Sequence, residues 1–407
     1  LASQFAFVLV CVARPRPDEF ATRLLRTVAQ GFPALFTHLS LSPLPESASA
    51  QMVAQLLATP EVAPALREII LRRAEGNPFF VEEVIRTLID RGALLLTEQG
   101  WHTTALIESV SVPNTLQGLL MARLDRLPAD TRWTVQQAAV IGRIFLYRVL
   151  AEMADHPGGL DDHVEHLQQA EMIRERARLP EIEYIFQHGL TQEVAYQSLL
   201  VARRKELHRR VGEAMERAFA GRLGEFDSIL AEHFLRAEDW ERATHYLLRA
   251  AEGAAHLYAL AEARSHYARA LDALARLPDD PQERAAGHRR RAEMLIHLVS
   301  VSFVADSPEQ NLARMAEAES LLTADPALAA ENAVLLARVH YWMGRCHYYS
   351  NRPLQAIQYY RQVLAVAEQT GDPELLAIPS ATMGRALMGQ GRFAQARALL
   401  AQALDPL

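Results

Sequence analysis

Residues 344–363 of the chain have the sequence Gly-Arg-Cys-His-Tyr-Tyr-Ser-Asn-Arg-Pro-Leu-Gln-Ala-Ile-Gln-Tyr-Tyr-Arg-Gln-Val. Its glycine is followed at fixed intervals by a small, a large and another small side chain, and this pattern returns forty residues later. The two sets are Gly344, Ala356, Tyr360 and Val363, and then Gly384, Ala396, Leu400 and Ala403. Small residues let two antiparallel helices approach closely, and the large residue fills the gap between them. The stretch therefore predicts a helical hairpin that is repeated.

Two earlier stretches have the same spacing. They are Ala251, Ala263, Tyr267 and Ala270, and before them Ala231, Ala243, Leu247 and Ala250. The interval is that of the tetratricopeptide repeat, whose usual period is about 34 residues. A period near forty predicts longer helices or loops than usual. From about residue 191 to the end, the sequence predicts only helices.

Composition limits the classes of protein to which the chain can belong. Of its 407 residues, 50% are hydrophobic, 22% are charged and only 7% are aromatic, which favours a mostly helical, soluble protein of two to four domains. The formal net charge of −7 gives no support to a nucleic-acid or membrane role for the whole chain. Two distant cysteines, Cys11 and Cys346, suggest neither a disulfide framework nor a metal cluster, so we expect a cytoplasmic protein.

The first 45 residues have the pattern of an α/β domain. Residues 5–12 form a continuous apolar run, which is typical of a strand buried on both faces of a parallel sheet but is too short to span a bilayer. Arg14 follows at the carboxyl end of this strand, where open α/β sheets bind ligands. A helix is expected over about 18–30. Because one or two strands cannot form a sheet alone, and both ends of the sequence look cut, we expect a fragment of a longer protein.

Three helices, at 47–57, 60–75 and 77–91, are predicted next. Asn77 can cap the third, Pro78 suits its first turn, and Gly92 suits the left-handed position that closes it. A small hairpin is predicted from residues 93–96 and 101–103.

Residues 113–186 have the order of a winged helix. Helices are predicted from Pro113 and Pro128 and over 145–154 and 160–171, followed by a β-hairpin of 172–176 and 181–186. His188 lies where this hairpin gives way to the next helix.

Together these stretches resemble the regulatory half of STAND-type signal-transduction ATPases. The closest resemblance is to bacterial multidomain proteins that join a class III adenylate/guanylate cyclase domain, an AAA-type ATPase module and tetratricopeptide repeats. The residues that carry it are 10–15 (VCVARP), 74–83 (AEGNPFFVEE), 112–128 (VPNTLQGLLMARLDRLP), 138–143 (AAVIGR) and 186–196 (FQHGLTQEVAY). The resemblance covers essentially the whole chain in the right order.

The resemblance implies a mainly α-helical protein in four parts. Residues 1–45 would be the C-terminal piece of an α/β NTPase core, and 46–110 a helical lid with a small hairpin. Residues 111–203 would be a winged-helix domain, and 204–407 an α-solenoid of tetratricopeptide-like repeats.

The same resemblance implies three nucleotide-binding residues. Arg14 matches a sensor position at which a guanidinium contacts a terminal phosphate. Pro78 matches a lid turn that packs on adenine, and His188 matches a histidine that contacts the diphosphate in the closed state. Each also has an ordinary structural explanation: a solvated arginine before a proline, a residue in the first turn of a capped helix, and a local bond at a helix start.

The sequence departs from such ATPases in one important respect. It contains no Gly-x4-Gly-Lys-Ser/Thr phosphate loop and no paired acidic residues ending an apolar strand, so the usual lysine and magnesium ligands are absent. We therefore expect no enzymatic activity from this chain. ATP or ADP with Mg²⁺ would belong to the intact parent, with no tight binding by the fragment.

Two other functions remain open. A LuxR-type large transcriptional activator carries similar repeats, but the acidic helix at 160–167 disfavours DNA, whereas Arg174, Arg176, Arg178 and the run 203–205 favour it. A pure protein-binding scaffold is the third interpretation. We expect a protein partner on the repeats, no membrane contact and oligomerisation on activation. The histidines are interpreted as surface or packing residues without zinc spacing: His163, His166, His208, His233 and His245.

Overall fold

A computed structural model describes residues 8–12, 20–59, 62, 64–97, 100–108, 113, 115–154, 159–278 and 283–404. The chain divides into two compact units, Leu1–Leu119 and Leu120–Leu407, and each is described by itself. None of the described helices combines the length and apolar character needed to cross a membrane.

The first unit contains four α-helices and a two-stranded hairpin among its described residues. These elements are α1 (Phe20–Gly31), α2 (Glu46–Leu56), α3 (Pro64–Ala74), α4 (Pro78–Asp90), β1 (Leu94–Thr97) and β2 (Gly100–Thr103). The strands are antiparallel, with Leu94 opposite Thr103 and Thr97 opposite Gly100. Their order confirms the three predicted helices and the predicted hairpin.

Helix α4 is the centre of this unit. Its buried side chains pack with others from α2, α3 and β1; they include Phe80, Val81, Val84, Ile85, Leu88, Val53, Ile70 and Leu94. Asn77 caps the helix, since its Oδ1 accepts hydrogen bonds from the amides of Phe79 and Phe80 at 3.0 and 3.4 Å. Gly92 ends it with φ of +66°, which is the left-handed conformation predicted from the sequence.

The strand predicted at residues 5–12 is wrong where the structure describes it. Residues 8–12 have no regular secondary structure, and Val8, Leu9, Val10 and Val12 are all more than three-quarters exposed. Residues 5–7 lie outside the described residues. A strand buried on both faces needs neighbouring strands, and β1 and β2, the strands among the described residues of this unit, pair with each other.

The second unit begins with helices around a small antiparallel sheet. Helix α5 (Leu116–Asp125) contains the boundary between the units. It is followed by α6 (Ala129–Ile141), β3 (Ile144–Leu146), α7 (Tyr147–Met153), α8 (Leu160–Gln169), β4 (Ile173–Ala177), β5 (Glu183–Phe186) and α9 (Gly189–Gln197). The strand order is β3-β5-β4.

Strand β3 corrects the predicted helix at 145–154. Phe145 lies in the strand opposite Tyr184, is buried, and stacks on that ring at a centroid distance of 5.8 Å. The helix begins only at Tyr147. Pairing with β5 thus takes the first two residues, Phe145 and Leu146, from the predicted helix.

Ten helices follow in the described part of 201–404. They are α10 (Val201–Ala218), α11 (Asp227–Ala237), α12 (Trp240–His256), α13 (Leu260–Leu274), α14 (Arg284–Ser302), α15 (Pro308–Thr323), α16 (Ala329–Tyr349), α17 (Pro353–Thr370), α18 (Pro373–Gly389) and α19 (Phe393–Leu404). From α10 to α19, each helix packs on the next one in the sequence, and α10 also packs on α6 and α7. Helices α16 and α17, with 21 and 18 residues, are long, as the forty-residue period predicted.

The small-to-large packing predicted from the sequence is present. A Cβ added to Gly344 would lie 2.6 Å from Cε1 of Tyr360, and one added to Gly384 would lie 2.9 Å from Cγ of Leu400. Real Cβ atoms do not approach other atoms that closely, so each glycine is needed for its helix pair to meet at this distance.

The four stretches found in the sequence also share one turn. The residue seven positions after the first small residue has a left-handed conformation in every case: Glu238, Tyr258, Asn351 and Gly391 have φ of 57°, 57°, 57° and 73°. In each, the amide after the left-handed residue donates to a carbonyl five residues back, as from Arg352 to His347 at 2.9 Å. The turns, like the helix contacts, therefore repeat.

One helix pair keeps the spacing but not the residue types. In α14–α15 the equivalent positions are Val299, Asn311, Met315 and Ala318, all fully buried. The turn position holds Asp306 instead of a left-handed residue, and α15 begins with a capping box of Ser307 and Gln310. The sequence pattern missed this pair because Val299 and Asn311 replace small residues.

Candidate functional site

The three predicted nucleotide-binding residues fall in different parts of the chain. Arg14 lies outside the described residues. Pro78 belongs to the first unit and His188 to the second, so each is described in its own surroundings.

Pro78 is exposed at the first position of α4. The turn before it is closed by the chain's own backbone, because the amide of Leu44 donates to the carbonyl of Gly76 at 2.8 Å. A Cβ added to Gly76 would lie 2.4 Å from the carbonyl oxygen of Leu44, so only glycine fits this approach. The Gly-x-Pro turn is thus rigid, with the proline ring facing outward.

His188 is half-buried at the N-cap of α9, directly after β5. Arg143, exposed in the turn between α6 and β3, lies beside the start of the same helix: its Nε would be 3.7 Å from a Cβ added to Gly189. The amide of Phe186 donates to the carbonyl of Arg143 at 3.0 Å, and Gln192 Nε2 donates to the carbonyl of Ala139 at 2.7 Å. Two stretches that carry the resemblance, 138–143 and 186–196, therefore meet here. Sequence reasoning did not identify Arg143.

Two histidines that looked scattered in the sequence form a buried pair. Nδ1 of His208 in α10 lies 2.9 Å from Nδ1 of His233 in α11, and Nε2 of His208 lies 3.0 Å from the hydroxyl of Tyr196 in α9. Burial and then the neighbouring His233 lower the pKa of His208 to about 3, and burial lowers the pKa of His233 to about 4. Both are therefore neutral packing residues that tie α9 to the first repeat helices.

The repeats also present an arginine surrounded by aromatic rings. The guanidinium carbon of Arg345 in α16 lies 4.4 Å from the ring centre of Phe303, 4.9 Å from Trp342 and 5.9 Å from both Tyr341 and Tyr349. Three of these rings lie on one face of α16 because they are three or four residues away in the helix. Phe303 reaches them from the end of α14. We call these five residues the Arg345 cluster.

Charge is distributed unevenly around this cluster. Residues 335–404 contain seven arginines against three acidic residues, a formal charge of +4, although the whole chain has −7. The last four helices are therefore basic in an acidic protein. Among the described residues, no group of three or more histidine, cysteine, aspartate or glutamate side chains is arranged to hold a metal ion.

Residues 335–405 match the tetratricopeptide repeat family. Residues 45–100 match a domain of unknown function (DUF8739). No curated protein sequence matches the chain. The C-terminal part of the chain thus consists of tetratricopeptide-like helical repeats.

Several solved structures are similar to the chain at low identity. BtubC (BKLC) from P. vanneervenii is 18% identical over 50% of this chain and 79% of its own, with a TM-score of 0.37. A Signal Transduction ATPase with Numerous Domains (STAND) protein with a tetratricopeptide repeat sensor from Pyrococcus horikoshii is 12% identical, with a TM-score of 0.33, and the match spans 91% of this chain but 55% of that protein. Aspartyl phosphate phosphatase F from Bacillus subtilis is 13% identical over 91% of this chain and 76% of its own, with a TM-score of 0.35. All three TM-scores lie below 0.5, so the case for repeats rests on the chain's own helix pairs and the family match.

Proposed function

We propose that the helical repeats bind a protein partner, and that the chain is the regulatory portion of a nucleotide-switched, STAND-type signal-transduction ATPase. The observation that supports the first part best is the series of like helix pairs ending in the family match at 335–405. Stacked helix pairs form extended surfaces, and such arrays use them to bind other proteins.

The nucleotide switch is supported by the arrangement around α9. In this proposal α6–α8 and the sheet β3-β5-β4 are a winged helix, and residues 46–110 are the lid. His188 is the N-cap of α9 and Arg143 lies beside Gly189, the first residue of that helix, where the helix dipole favours an anion such as a diphosphate. The rigid Gly76-x-Pro78 turn offers an exposed proline ring for adenine.

The remainder of the nucleotide site would belong to the natural protein that contains this chain. In the proposal Arg14 of this chain adds the sensor arginine, and the phosphate loop and magnesium ligands come from elsewhere in that protein, because residues 1–407 contain no phosphate loop. A linked nucleotidyl cyclase is the effector that the sequence resemblance suggests. The chain itself is proposed to be regulatory and not catalytic.

DNA binding is a weaker alternative. The outward positions of α8, which would enter a groove, are the exposed Asp161, Asp162 and Glu165, and these repel phosphates. Two arginines at the hairpin are already paired: Arg176 with Glu183 at 2.8 Å and Arg178 with Glu175 at 2.6 Å. A pure scaffold would keep the protein partner but lose the dependence on nucleotide.

Crosslinking of the natural parent protein in a lysate of its own cells, supplemented with either ADP or ATP and analysed by mass spectrometry, tests both parts of the proposal. The partner's crosslinks are expected to map to α12–α19, with yields that differ between ADP and ATP. The variant His188→Ala is expected to lose that difference. Crosslinks confined to other regions would contradict binding by the repeats. Equal crosslinking yields with both nucleotides in the unmodified protein would contradict the nucleotide switch. The interpretation as a pure protein-binding scaffold would then remain.

A further inference from the structure

The Arg345 cluster holds a guanidinium in a position where it can bind a carboxylate. Aromatic rings within about 6 Å of a guanidinium hold it in place by cation–π attraction, and here four rings do so. Arg345 is only half-buried, and Tyr349 at its edge is 61% exposed. The charge is therefore both fixed and accessible.

No carboxylate among the described residues forms an ion pair with Arg345. This differs from the arginines of neighbouring repeats. Arg264 and Arg314 both pair with Asp306, at 2.8 and 2.5 Å, and Arg269 pairs with Glu232 at 2.5 Å. The fold provides counter-ions for those arginines but not for this one.

A second arginine occupies the same place one repeat later. Arg345 directly follows Gly344, and Arg385 directly follows Gly384, so both project from corresponding positions of α16 and α18. Arg385 is exposed and likewise forms no ion pair among the described residues. At the corresponding place after Ala231, Ala251 and Val299, the chain has Glu232, Glu252 and Ser300. Positive charge at this position is thus confined to the last two helix pairs.

Exposed apolar side chains lie close in sequence to the two arginines or to Phe303 of the cluster. Val304, which follows Phe303, is 96% exposed, and Ile378 and Met388 on α18 are 46% and 41% exposed. The ligand that complements such a surface carries carboxylates with apolar residues between them.

We propose that helices α14, α16 and α18 bind an extended acidic segment of the partner protein, with one carboxylate on Arg345 and a second on Arg385. This inference rests on the proposed function of the repeats and specifies its ligand. Helices α16 and α18 are in contact, which places their axes about 8–10 Å apart. An extended chain advances about 3.3 Å per residue, so the two carboxylates are expected three residues apart.

A protein segment fits this surface better than a nucleic acid does. A polynucleotide carries a phosphate at every step and would extend along the array toward α12, where Glu252 would repel it. A short peptide needs only the two basic helix pairs.

Fluorescence anisotropy with the 407-residue chain tests the proposal. The probe is a fluorescein-labelled peptide, Ser-Gly-Glu-Leu-Tyr-Glu-Leu-Gly-Ser. The control peptide is the same except that glutamine replaces both glutamates. The glutamate peptide is expected to bind, and the glutamine peptide at least about tenfold more weakly, since each charged hydrogen bond contributes about a factor of ten or more. Arg345→Ala and Arg385→Ala should each weaken binding about tenfold.

Arg361→Ala is the matched control. This arginine is exposed on α17, the other helix of the pair, and forms no ion pair among the described residues; its loss removes the same charge and should leave affinity unchanged. If Arg345→Ala lowers helicity by circular dichroism, the exposed Arg385→Ala still decides the question.

Several results would overturn the proposal. One is equal affinity for the two peptides, and another is unchanged binding by Arg385→Ala. A third is tighter binding of an oligothymidine that the same two variants abolish, which would assign the surface to single-stranded nucleic acid. If neither peptide binds but the crosslinks of the partner still map to α12–α19, this inference is wrong while the proposed function stands, because the repeats then bind a protein segment of different chemistry.

Discussion

Helix pairs α16–α17 and α14–α15 follow the same spacing but are joined by different chemistry. In α16–α17, Gly344 admits the ring of the buried Tyr360, and the turn passes through left-handed Asn351. In α14–α15, the corresponding positions hold Val299, Asn311 and Met315, and the turn holds Asp306.

Polar contacts replace close approach in the second pair. Arg314 donates to Asp306 at 2.5 Å, to Asn311 at 3.2 Å and to Ser302 at 3.3 Å, while Arg264 from α13 reaches the same aspartate. Burial alone would raise the pKa of Asp306, but the hydrogen bonds and charge of Arg314, with Ser302 and Arg264, lower it below its usual value. The comparison teaches that one repeat geometry can be reached by apolar fit or by a charged network.

Replacing the buried carboxylate is expected to have the largest effect. Asp306→Asn leaves Arg264 and Arg314 without their counter-ion, and the side chain of Asp306 is only 4% exposed. Breaking such a pair costs about 3–5 kcal/mol when fully buried, and since both arginines are partly exposed we expect a loss of about 2–4 kcal/mol in the free energy of unfolding.

Urea denaturation measures this loss. The control is Glu293→Gln, which removes an exposed pair with Arg289 on α14 and should cost less than about 1 kcal/mol. Equal losses for both variants would show that the network does not hold α14 to α15.

Acid is expected to act next most strongly, on the buried pair of His208 and His233. Unfolded histidines take up protons near pH 6.5, whereas these two do so in the folded protein only near pH 3 and 4. Below pH 6.5 the unfolded chain therefore binds more protons, so stability is complete above that pH and declines as pH falls toward 4. At pH 5 the decline is of the order of 2 kcal/mol for each histidine.

Hydrogen exchange at pH 7.5 and 5.0, corrected for intrinsic rates, should show the loss in α10 and α11. The double variant His208→Gln, His233→Gln, compared with itself at the two pH values, should lose less. A decline of the same size in that variant would place the pH dependence elsewhere.

A single methyl group tests the apolar pair and has the smallest expected effect. Gly344→Ala places a Cβ against the ring of Tyr360, and overpacking of this kind costs about 1–3 kcal/mol. The gain in helix propensity offsets about 0.5–1 kcal/mol of that cost. We therefore expect a net loss of about 1–2 kcal/mol by urea denaturation.

Gly253→Ala is the matched control, because a Cβ there meets no atom within 4 Å. It should raise the free energy of unfolding by about 0.5–1 kcal/mol. If Gly344→Ala is stabilising as well, Tyr360 can move aside and the small residue is not required.

The same contrast explains how much could be predicted from the sequence. Helix pairs with a small residue opposite a large one were predicted at Gly344 and Gly384, because that rule acts at fixed spacing within one hairpin. The pair α14–α15 was missed, since nothing in the spacing of Val299 and Asn311 indicates the ions that surround them. Helix α4, with its Asn77 cap and Gly92 end, was predicted for the same local reasons.

Features that depend on distant residues were not predicted. Phe145 fits the helix that follows it, and only its pairing with Tyr184 makes it a strand. The Arg345 cluster needs Phe303 from the end of α14, and the approach of Arg143 to Gly189 joins the turn after α6 to the start of α9. At residues 8–12 the apolar run predicted a strand, but no partner strand lies beside it in the part of the chain that the structure describes.

The order of contacts along α10–α19 also bears on how fast the chain folds. Each helix packs on its neighbours in sequence, so most contacts close short loops, and low contact order is associated with rapid folding. The sheet differs in the sequence separation of its contacts, because β3 forms only when Ile144 pairs with the distant Ile185. Any repeat hairpin can serve as a nucleus from which the array grows outward, whereas β3 pairs with a strand far along the chain, so we expect the pairing of β3 with β5 to be the slower step in the second unit.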